Sequence, residues 1–490
     1  MLGSVLKTNP KLRVENVSRV SAVVICLLIL ASSWRTEAGG PRTVFVQLFE
    51  WPWADVAKEC EAVLGPAGFS AAQVSPPQEH LNLPGSPWWT RYQPVSYQLI
   101  SRAGNEAQFK NMVSRCKAVG VDIYADTVIN HMAGVARGVG FSGTAFSHYQ
   151  YPSLYSEWDF HHCGRNGNDD IANYGDLYEV QNCELVNLAD LKTESTYVQQ
   201  KILDYMTSLL KMGVSGFRID AAKHIPARDI AAIVSRLPAP AYVYQELILG
   251  YNDIIRYSDY VGSGDVTDYV YPFFVAQAFL NQKLGALARV SVGPIASSDA
   301  IVFVTNHDLE RSTETGILSF HSNKALYRLA QVFMLTWPYG NPQVYSGYNF
   351  KDFDQGPPVD NNKFTVPILD SSGKCNKAWT CEHRRPEVLN LVRFRNRTDS
   401  HFRVNHYWTN DTDRIAFGRG DTGFVIINSS STKMTETLEH GLAPGSYCNL
   451  LDPSYEPEAK HCANPIQIGQ GGRSTFIVPA LSAMVLLSEP

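Results

Sequence analysis

Eight short apolar runs recur between residues 43 and 345, and amphipathic helical stretches stand between most of them. The runs cover residues 43–49, 71–75, 121–127, 216–220, 241–247, 265–270, 300–305 and 343–345. Between them apolar residues return at helical spacing. Phe109, Met112, Val113 and Cys116 share one helix face. Ile202, Met206, Leu209 and Leu210 share another, as do Ile230, Ile233, Val234 and Leu237. Parallel strands need helical crossovers, and eight such strands close a sheet without leaving edges. The pattern therefore predicts an α/β chain with a (β/α)8 TIM barrel.

The rhythm breaks in two places. Residues 132–188 are rich in Gly, Asn, Asp and aromatics and show no helical period. A stretch this long is functional or a small inserted domain. From about residue 398, the runs 415–418, 423–428, 475–478 and 483–487 have no helices between them. They predict a C-terminal antiparallel β-sandwich. The expected order is a leader (1–40), a barrel (41–131 and 189–397) interrupted by an insertion (132–188), and a β domain (398–490).

Residues 1–40 read as a targeting segment. Lys7, Lys11, Arg13 and Arg19 precede an apolar run at 20–31. That run has the length of a signal-peptide core and is short of the roughly 20 residues that span a bilayer. Ala38 is the expected cleavage point, with an uncleaved anchor as the alternative. Of nine cysteines, Cys26 lies inside the apolar run, leaving an even number as export and disulfides require. Local spacing pairs Cys163–Cys183, Cys375–Cys381 and Cys448–Cys462, which leaves Cys60–Cys116. The absence of CxxC argues against structural zinc. Asn396, Asn410 and Asn428 each begin a glycosylation sequon. A net charge of -5 without basic runs argues against nucleic-acid partners.

Barrel active sites sit at the C-terminal ends of the strands. Asp220, Glu246 and Asp308 close three of the predicted strands. In the run 216–220, Gly216, Arg218 and Asp220 point one way, while Phe217 and Ile219 point the other. Arg218 beside Asp220 is expected to favour its ionised form. Two neighbouring carboxyls in different settings are what a nucleophile and a general acid require.

The blocks Asp126–His131 (DTVINH), Gly216–His224 (GFRIDAAKH), Glu246 and Phe303–Asp308 (FVTNHD) resemble the four sequence regions of the alpha-amylase family, glycoside hydrolase family 13. Val74–Pro77, Trp88-Trp89, Arg91–Tyr97 and Phe417–Gly420 resemble its animal-type branch. The resemblance implies endo-hydrolysis of α-1,4-glucosidic bonds in starch and glycogen, with retention. It makes Asp220 the nucleophile, Glu246 the acid and then base, and Asp308 the transition-state stabiliser. It assigns sugar contacts to Trp88, Trp89, Tyr92, Gln93, His131, Tyr174, Arg218, Lys223, His224 and His307. It implies calcium held by Asn130 and Asp190 side chains and by the backbone carbonyls of Gln181 and His224.

Chloride in the animal branch would be held by Arg218, Asn306 and a third, basic residue, where this chain has Gln343. The expectation is chloride independence. The segment after Asp308 also departs from the branch by lacking its Gly-rich loop. A secreted monomer acting on starch, glycogen and malto-oligosaccharides is the leading reading. The alternatives are a non-catalytic, membrane-anchored amylase-like ectodomain and a transglycosylating or exo-acting enzyme on the same fold.

Overall fold

The computed structural model describes residues 43–238, 240–250, 253–312 and 316–488. The expectation for residues 1–40 lies outside them. Eight parallel strands close a barrel: β1 (Phe45–Leu48), β2 (Ala71–Val74), β3 (Asp122–Thr127), β4 (Gly216–Ile219), β5 (Tyr242–Gln245), β6 (Asp265–Thr267), β7 (Ala300–Val302) and β8 (Asn341–Ser346). Each pairs with its neighbour in chain order, and Phe45 opposite Gln343 closes the ring.

Alternation decides which side chains fill the barrel. Val121, Ile123 and Ala125 face outward into a core shared with helices α1 (Trp53–Glu59), α2 (Glu106–Ala118) and α3 (Thr196–Lys211). Tyr124 and Asp126 face inward. The lower interior layer is aromatic and aliphatic: Phe45, Ala71, Tyr124, Tyr242, Tyr244 and Ile301. Gln47, Gln73 and Gln343 are buried together above it, with Gln343 Nε2 donating to Gln47 Oε1 (2.8 Å) and Gln73 Oε1 (3.1 Å). The interior thus turns polar toward the end where the predicted carboxylates lie.

Seven of the eight strands are shorter than their apolar runs and β8 alone is longer; two of these differences bear on the site. The run 265–270 yields only β6, because Val270 already starts helix α4 (Val270–Leu280). The run 300–305 yields only β7, so Asp308 does not close a strand but lies six residues beyond Val302. Each of these strands is hydrogen-bonded over two or three residues. Apolar character continues past the point where pairing stops.

The stretch between β3 and α3 carries only a hairpin (Arg137–Val139 with Ala145–Ser147) and short helical turns, stapled by Cys163–Cys183. Toward the C-terminus, β9 (Val404–Thr409), β10 (Arg414–Arg419), β11 (Gly423–Asn428) and β14 (Ser482–Leu487) form an antiparallel sheet, and β12 (Met434–Glu439) pairs with β13 (Arg473–Val478). The inner strands β10 and β11 are buried on both faces, which explains why residues 424–427 of β11 are apolar without alternation. Ile415, Phe417, Val425 and Ile427 join the barrel's core, while Ala416, Phe424 and Ile426 pack on Met434, Leu438, Phe476 and Val478.

Four disulfides form, pairing Cys60–Cys116, Cys163–Cys183, Cys375–Cys381 and Cys448–Cys462. Among the described residues no helix is long and apolar enough to cross a membrane. The sequons differ sharply. Asn428 is fully buried, its amide donating to the carbonyls of Thr432, Val478 and Pro479. Asn396 donates to Gly68 O (2.8 Å). Asn410 is exposed on the turn between β9 and β10.

Candidate active site

Register brings Arg218 on β4 beside Asp126 on β3. Arg218 Nη1 donates to Asp126 Oδ1 (2.6 Å) and Asp220 Oδ1 (2.9 Å), and Nη2 donates to Glu246 Oε1. Asp220 and Glu246 directly follow the neighbouring strands β4 and β5. One buried guanidinium therefore serves three buried carboxylates. Burial pushes Asp220 well above the ordinary carboxylate range, Glu246's charge adds to this, and Arg218 pulls back. Burial also raises Asp126. Arg218 does favour the ionised form of Asp220, as expected, but a cation shared three ways does not outweigh desolvation. The sequence reading gave Asp126 no role in the site, although its inward phase on β3 was the available signal.

Glu246 is fixed by two further donors. Tyr269 OH reaches its Oε1 (3.1 Å) and is itself held by Asn306 Nδ2 (2.6 Å). The Ala221 N–H donates to Oε2 (3.0 Å). Ala221 reaches that position in the left-handed region, at φ 49° and ψ 34°, where a side chain with a Cβ is strained. Ala221→Val is expected to destabilise the fold by about 1–2 kcal/mol. It is also expected to lower kcat roughly tenfold by weakening a charge-assisted hydrogen bond. Ala221→Gly keeps the N–H and should keep the parent's kcat. Steady-state kinetics together with thermal unfolding check both variants.

Asp308 projects into the same space, its side chain 35% exposed and its carboxyl raised by desolvation first and Glu246 second. His307 lies between the rings of Tyr92 (5.0 Å) and Phe49 (5.0 Å). Burial, with the charges of Arg218 and Arg311, keeps it neutral. Its Nδ1 meets Gln47 Nε2 at 3.0 Å, so that nitrogen accepts and Nε2 carries the proton, facing Asp308 Oδ2 at 3.5 Å. Tyr92 OH donates to Asp126 Oδ2 (3.0 Å). Trp88, mostly buried, contacts Tyr92 and His307 edge-on, and Trp89 is half-buried next to it. After Asp308, Glu310 and Arg311 are buried, with the Arg311 guanidinium among the rings of Phe49, Trp88, Tyr348 and Phe350.

The remaining expected contacts are already engaged within the protein. Gln93 Oε1 accepts from the Gly134 N–H (3.0 Å). His131, kept neutral by burial with its pKa lowered to about 4, uses Nε2 on Tyr92 O and Nδ1 on Asn130. Lys223 Nζ donates to Ile248 O and Asp253 Oδ2 and lies 5.0 Å from the Tyr174 ring. His224 Nδ1 pairs with Val180 O, next to Gln181. Asn130 Nδ2 lies 3.3 Å from Asp190 Oδ1, and Asp190 Oδ2 faces His161 at 2.7 Å. Among the described residues there is no group of three or more His, Cys, Asp or Glu that could hold a metal ion.

Two family profiles match: "Alpha amylase, catalytic domain" over residues 90–239 and "Alpha amylase, C-terminal all-beta domain" over 408–489. The alpha-amylase of Pecten maximus is 38% identical over 487 residues, spanning 94% of this chain and 95% of that protein. The chain belongs to the alpha-amylase family. An alpha-amylase of Thermomonospora curvata is 41% identical over 481 residues, covering 95% of this chain and 76% of that one. The crystal structure of alpha-amylase I from Eisenia fetida superposes with a TM-score of 0.86 at 34% identity, covering 92% of this chain and all of that one. A variant of the same earthworm enzyme has been solved as a maltohexaose complex. This chain is accordingly an alpha-amylase, with the cluster around Arg218 at its barrel mouth.

Proposed function

We propose that this amylase is secreted and cleaves internal α-1,4-glucosidic bonds of starch, glycogen and malto-oligosaccharides with retention, through a covalent glycosyl-enzyme on Asp220. The single observation that carries this reading is one guanidinium, Arg218, holding Asp220 and Glu246 together at the barrel mouth. Retaining glycosidases need two carboxyls only about 5–5.5 Å apart. Glu246 donates a proton to the glycosidic oxygen as Asp220 attacks the anomeric carbon. It then takes a proton from the water that releases the sugar. Asp308 and the His307 Nε2–H hold sugar hydroxyls, and Trp88, Trp89 and Tyr92 offer flat apolar faces to the rings. The complete carboxylate set weighs against a non-catalytic ectodomain. The domain bounds proposed are 41–131 with 189–397 for the barrel, 132–188 for the insertion and 398–490 for the β domain.

Calcium fits the Asn130, Gln181, Asp190 and His224 set by donor chemistry, since an amide, a carboxylate and two carbonyls are all hard oxygens. Asp190, pushed up to about 7 by burial, is a carboxylate that a cation would favour in its charged form. Bound there, calcium would tie the insertion to the end of β3. Removing it with EDTA is expected to cost about 3–4 kcal/mol of stability if calcium is normally present at 100–1,000 times its Kd. The check is a fall in Tm that added calcium reverses.

Chloride independence rests on the Gln343 environment. Gln343 spends both N–H bonds on Gln47 and Gln73, and Asn306 Nδ2 donates one of its two N–H groups to Tyr269 OH. Starch hydrolysis by the purified protein should be indifferent to chloride. Gln343→Arg should lower chloride-free activity and make it chloride-responsive. Activity in the parent that rises several-fold with chloride would refute the Gln343 argument.

A further inference from the structure

His307 and Asp308 stand at the barrel mouth without a strand beneath them, since β7 ends at Val302. A short helical turn, Leu309–Arg311, follows them, and side chains of the same segment tie that turn at both ends. At the first end Asn306 Oδ1 accepts from the N–H groups of Asp308 (3.2 Å) and Leu309 (2.9 Å). At the other end the Arg311 N–H donates to Asp308 O (3.1 Å). The Arg311 side chain then folds back, and its Nη1 donates to His307 O (3.2 Å). The place of His307 and Asp308 is therefore set by an asparagine on one side and an arginine on the other.

The Arg311 guanidinium is itself held. It is buried, with its Cζ 4.2 Å from the centre of the Phe350 ring, 4.9 Å from Tyr348, 5.4 Å from Trp88 and 5.5 Å from Phe49. Aromatic rings attract a cation electrostatically. Phe49 and Trp88 are also ring neighbours of His307, so the cage and the imidazole share two walls. The adjacent carboxyl, Glu310, accepts from Arg311 Nη1 (3.2 Å) and from Tyr345 OH (2.7 Å). Burial pushes Glu310 up to about 8, so at neutral pH it is mostly protonated and leaves the positive charge of Arg311 free to act on other groups. Asp308 is one of them. Across the mouth it faces Glu246 and Asp126, which disfavour its ionised form, and Arg218, which favours it as Arg311 does. Tyr92, Tyr269 and His307 complete its titratable surroundings. Arg218 is already shared by three other carboxyls. A buried arginine can be present for packing alone. Arg311 differs because its acceptor is the carbonyl of His307 and its charge reaches Asp308.

We infer that Arg311 is a positioning residue for the reaction: from its ring cage it caps the His307 carbonyl, closes the turn that carries Asp308, and supplies the second positive charge that keeps this carboxyl ionised. This rests on the amylase reading of the site. Arg311 is buried and meets no sugar, so it acts only through His307 and Asp308. Replacing it by a neutral residue strands no charge, because Glu310 stays protonated.

The test compares Arg311→Met and Arg311→Lys with the parent, reading kcat/KM on maltoheptaose as a function of pH. In Arg311→Met kcat/KM should fall about 100-fold, the scale on which a displaced reacting group acts. The acid limb of its profile should move up by about one pH unit, because a carboxyl without its nearby cation takes its proton at higher pH. Arg311→Lys keeps the charge and loses the planar fork. Its acid limb should stay where the parent's lies, while kcat/KM falls about tenfold, the scale of one weakened hydrogen bond. Urea unfolding should show both variants folded under the assay conditions. A partly unfolded enzyme loses activity without moving its acid limb, so an unmoved limb in Arg311→Met overturns the inference. Parental kcat/KM in either variant overturns it too, as does a limb in Arg311→Lys displaced as far as in Arg311→Met. Should Arg311→Met fail to fold, Arg311→Lys decides: a tenfold loss with the limb in place supports the inference, and any other result overturns it. A parent inactive on every glucan overturns the amylase reading instead.

Discussion

Replacing Asp220 with Asn is expected to lower kcat on starch by about 10⁴-fold or more, the scale on which losing a nucleophile acts, while leaving the fold intact. The amide is nearly isosteric and cannot form the glycosyl ester. It also removes one of three buried carboxyls that compete for Arg218. Burial and Glu246 hold the Asp220 carboxyl well above its ordinary range, so part of the ionised form's free energy is spent against desolvation. Asp220→Asn should therefore be as stable as the parent or more so at neutral pH, although nearly inactive. Urea unfolding beside a starch assay decides the matter. A variant retaining a tenth of parental activity would remove Asp220 from the nucleophile's role. A variant that fails to fold would show that Asp220 serves the structure, and Asp220→Glu would then separate charge from position.

Arg218→Ala is expected to be the most damaging single substitution in the cleft. The guanidinium is 4% exposed and is the partner of Asp126, Asp220 and Glu246 together. Removing one member of a buried ion pair costs about 3–5 kcal/mol because the remaining charge is left without compensation. Here more than one carboxyl is stranded, and activity should disappear with the geometry. The pH dependence has a definite sign. Asp126 and Asp220 are already raised in the folded parent, and without Arg218 they rise further. A carboxyl whose folded pKa exceeds its unfolded value, about 3.9, binds its proton more tightly when folded. Its contribution to stability is complete below the unfolded value and is lost as pH rises toward the folded one. The deficit of Arg218→Ala relative to the parent should thus be smallest in acid and grow toward neutral pH. A deficit that shrinks as pH rises would contradict this electrostatic account. Arg218→Lys should recover part of the stability and little activity, since an ammonium cannot present two parallel donors to separate carboxyls.

Much of the architecture was legible because it depends on local periodicity. The alternation of Val121, Ile123 and Ala125, which face the helices, with Tyr124 and Asp126, which face the barrel interior, is set by strand geometry alone. The pairing of Cys60 with Cys116 followed by elimination from local spacing, and it forms. The limits of β6 and β7 were not legible, because apolar side chains continue beyond the residues that find partners. Asp126 could have been picked out by its inward phase. Tyr269 and the Gln47–Gln73–Gln343 cluster could not, since nothing near Tyr269 in the chain points to Glu246, and Gln47 meets Gln343 across 296 positions.

The sequence by itself determined the eight-fold strand and helix rhythm, the even cysteine set and the presence of acidic residues at or beyond the ends of three strands. Those follow from spacing, which the linear chain carries in full. Tertiary structure alone decided how a single guanidinium is divided among Asp126, Asp220 and Glu246, and in which direction burial moves the Asp126 and Asp220 carboxyls. Coulombic attraction depends on distance and desolvation depends on what surrounds a group, and neither has a value until the barrel has closed.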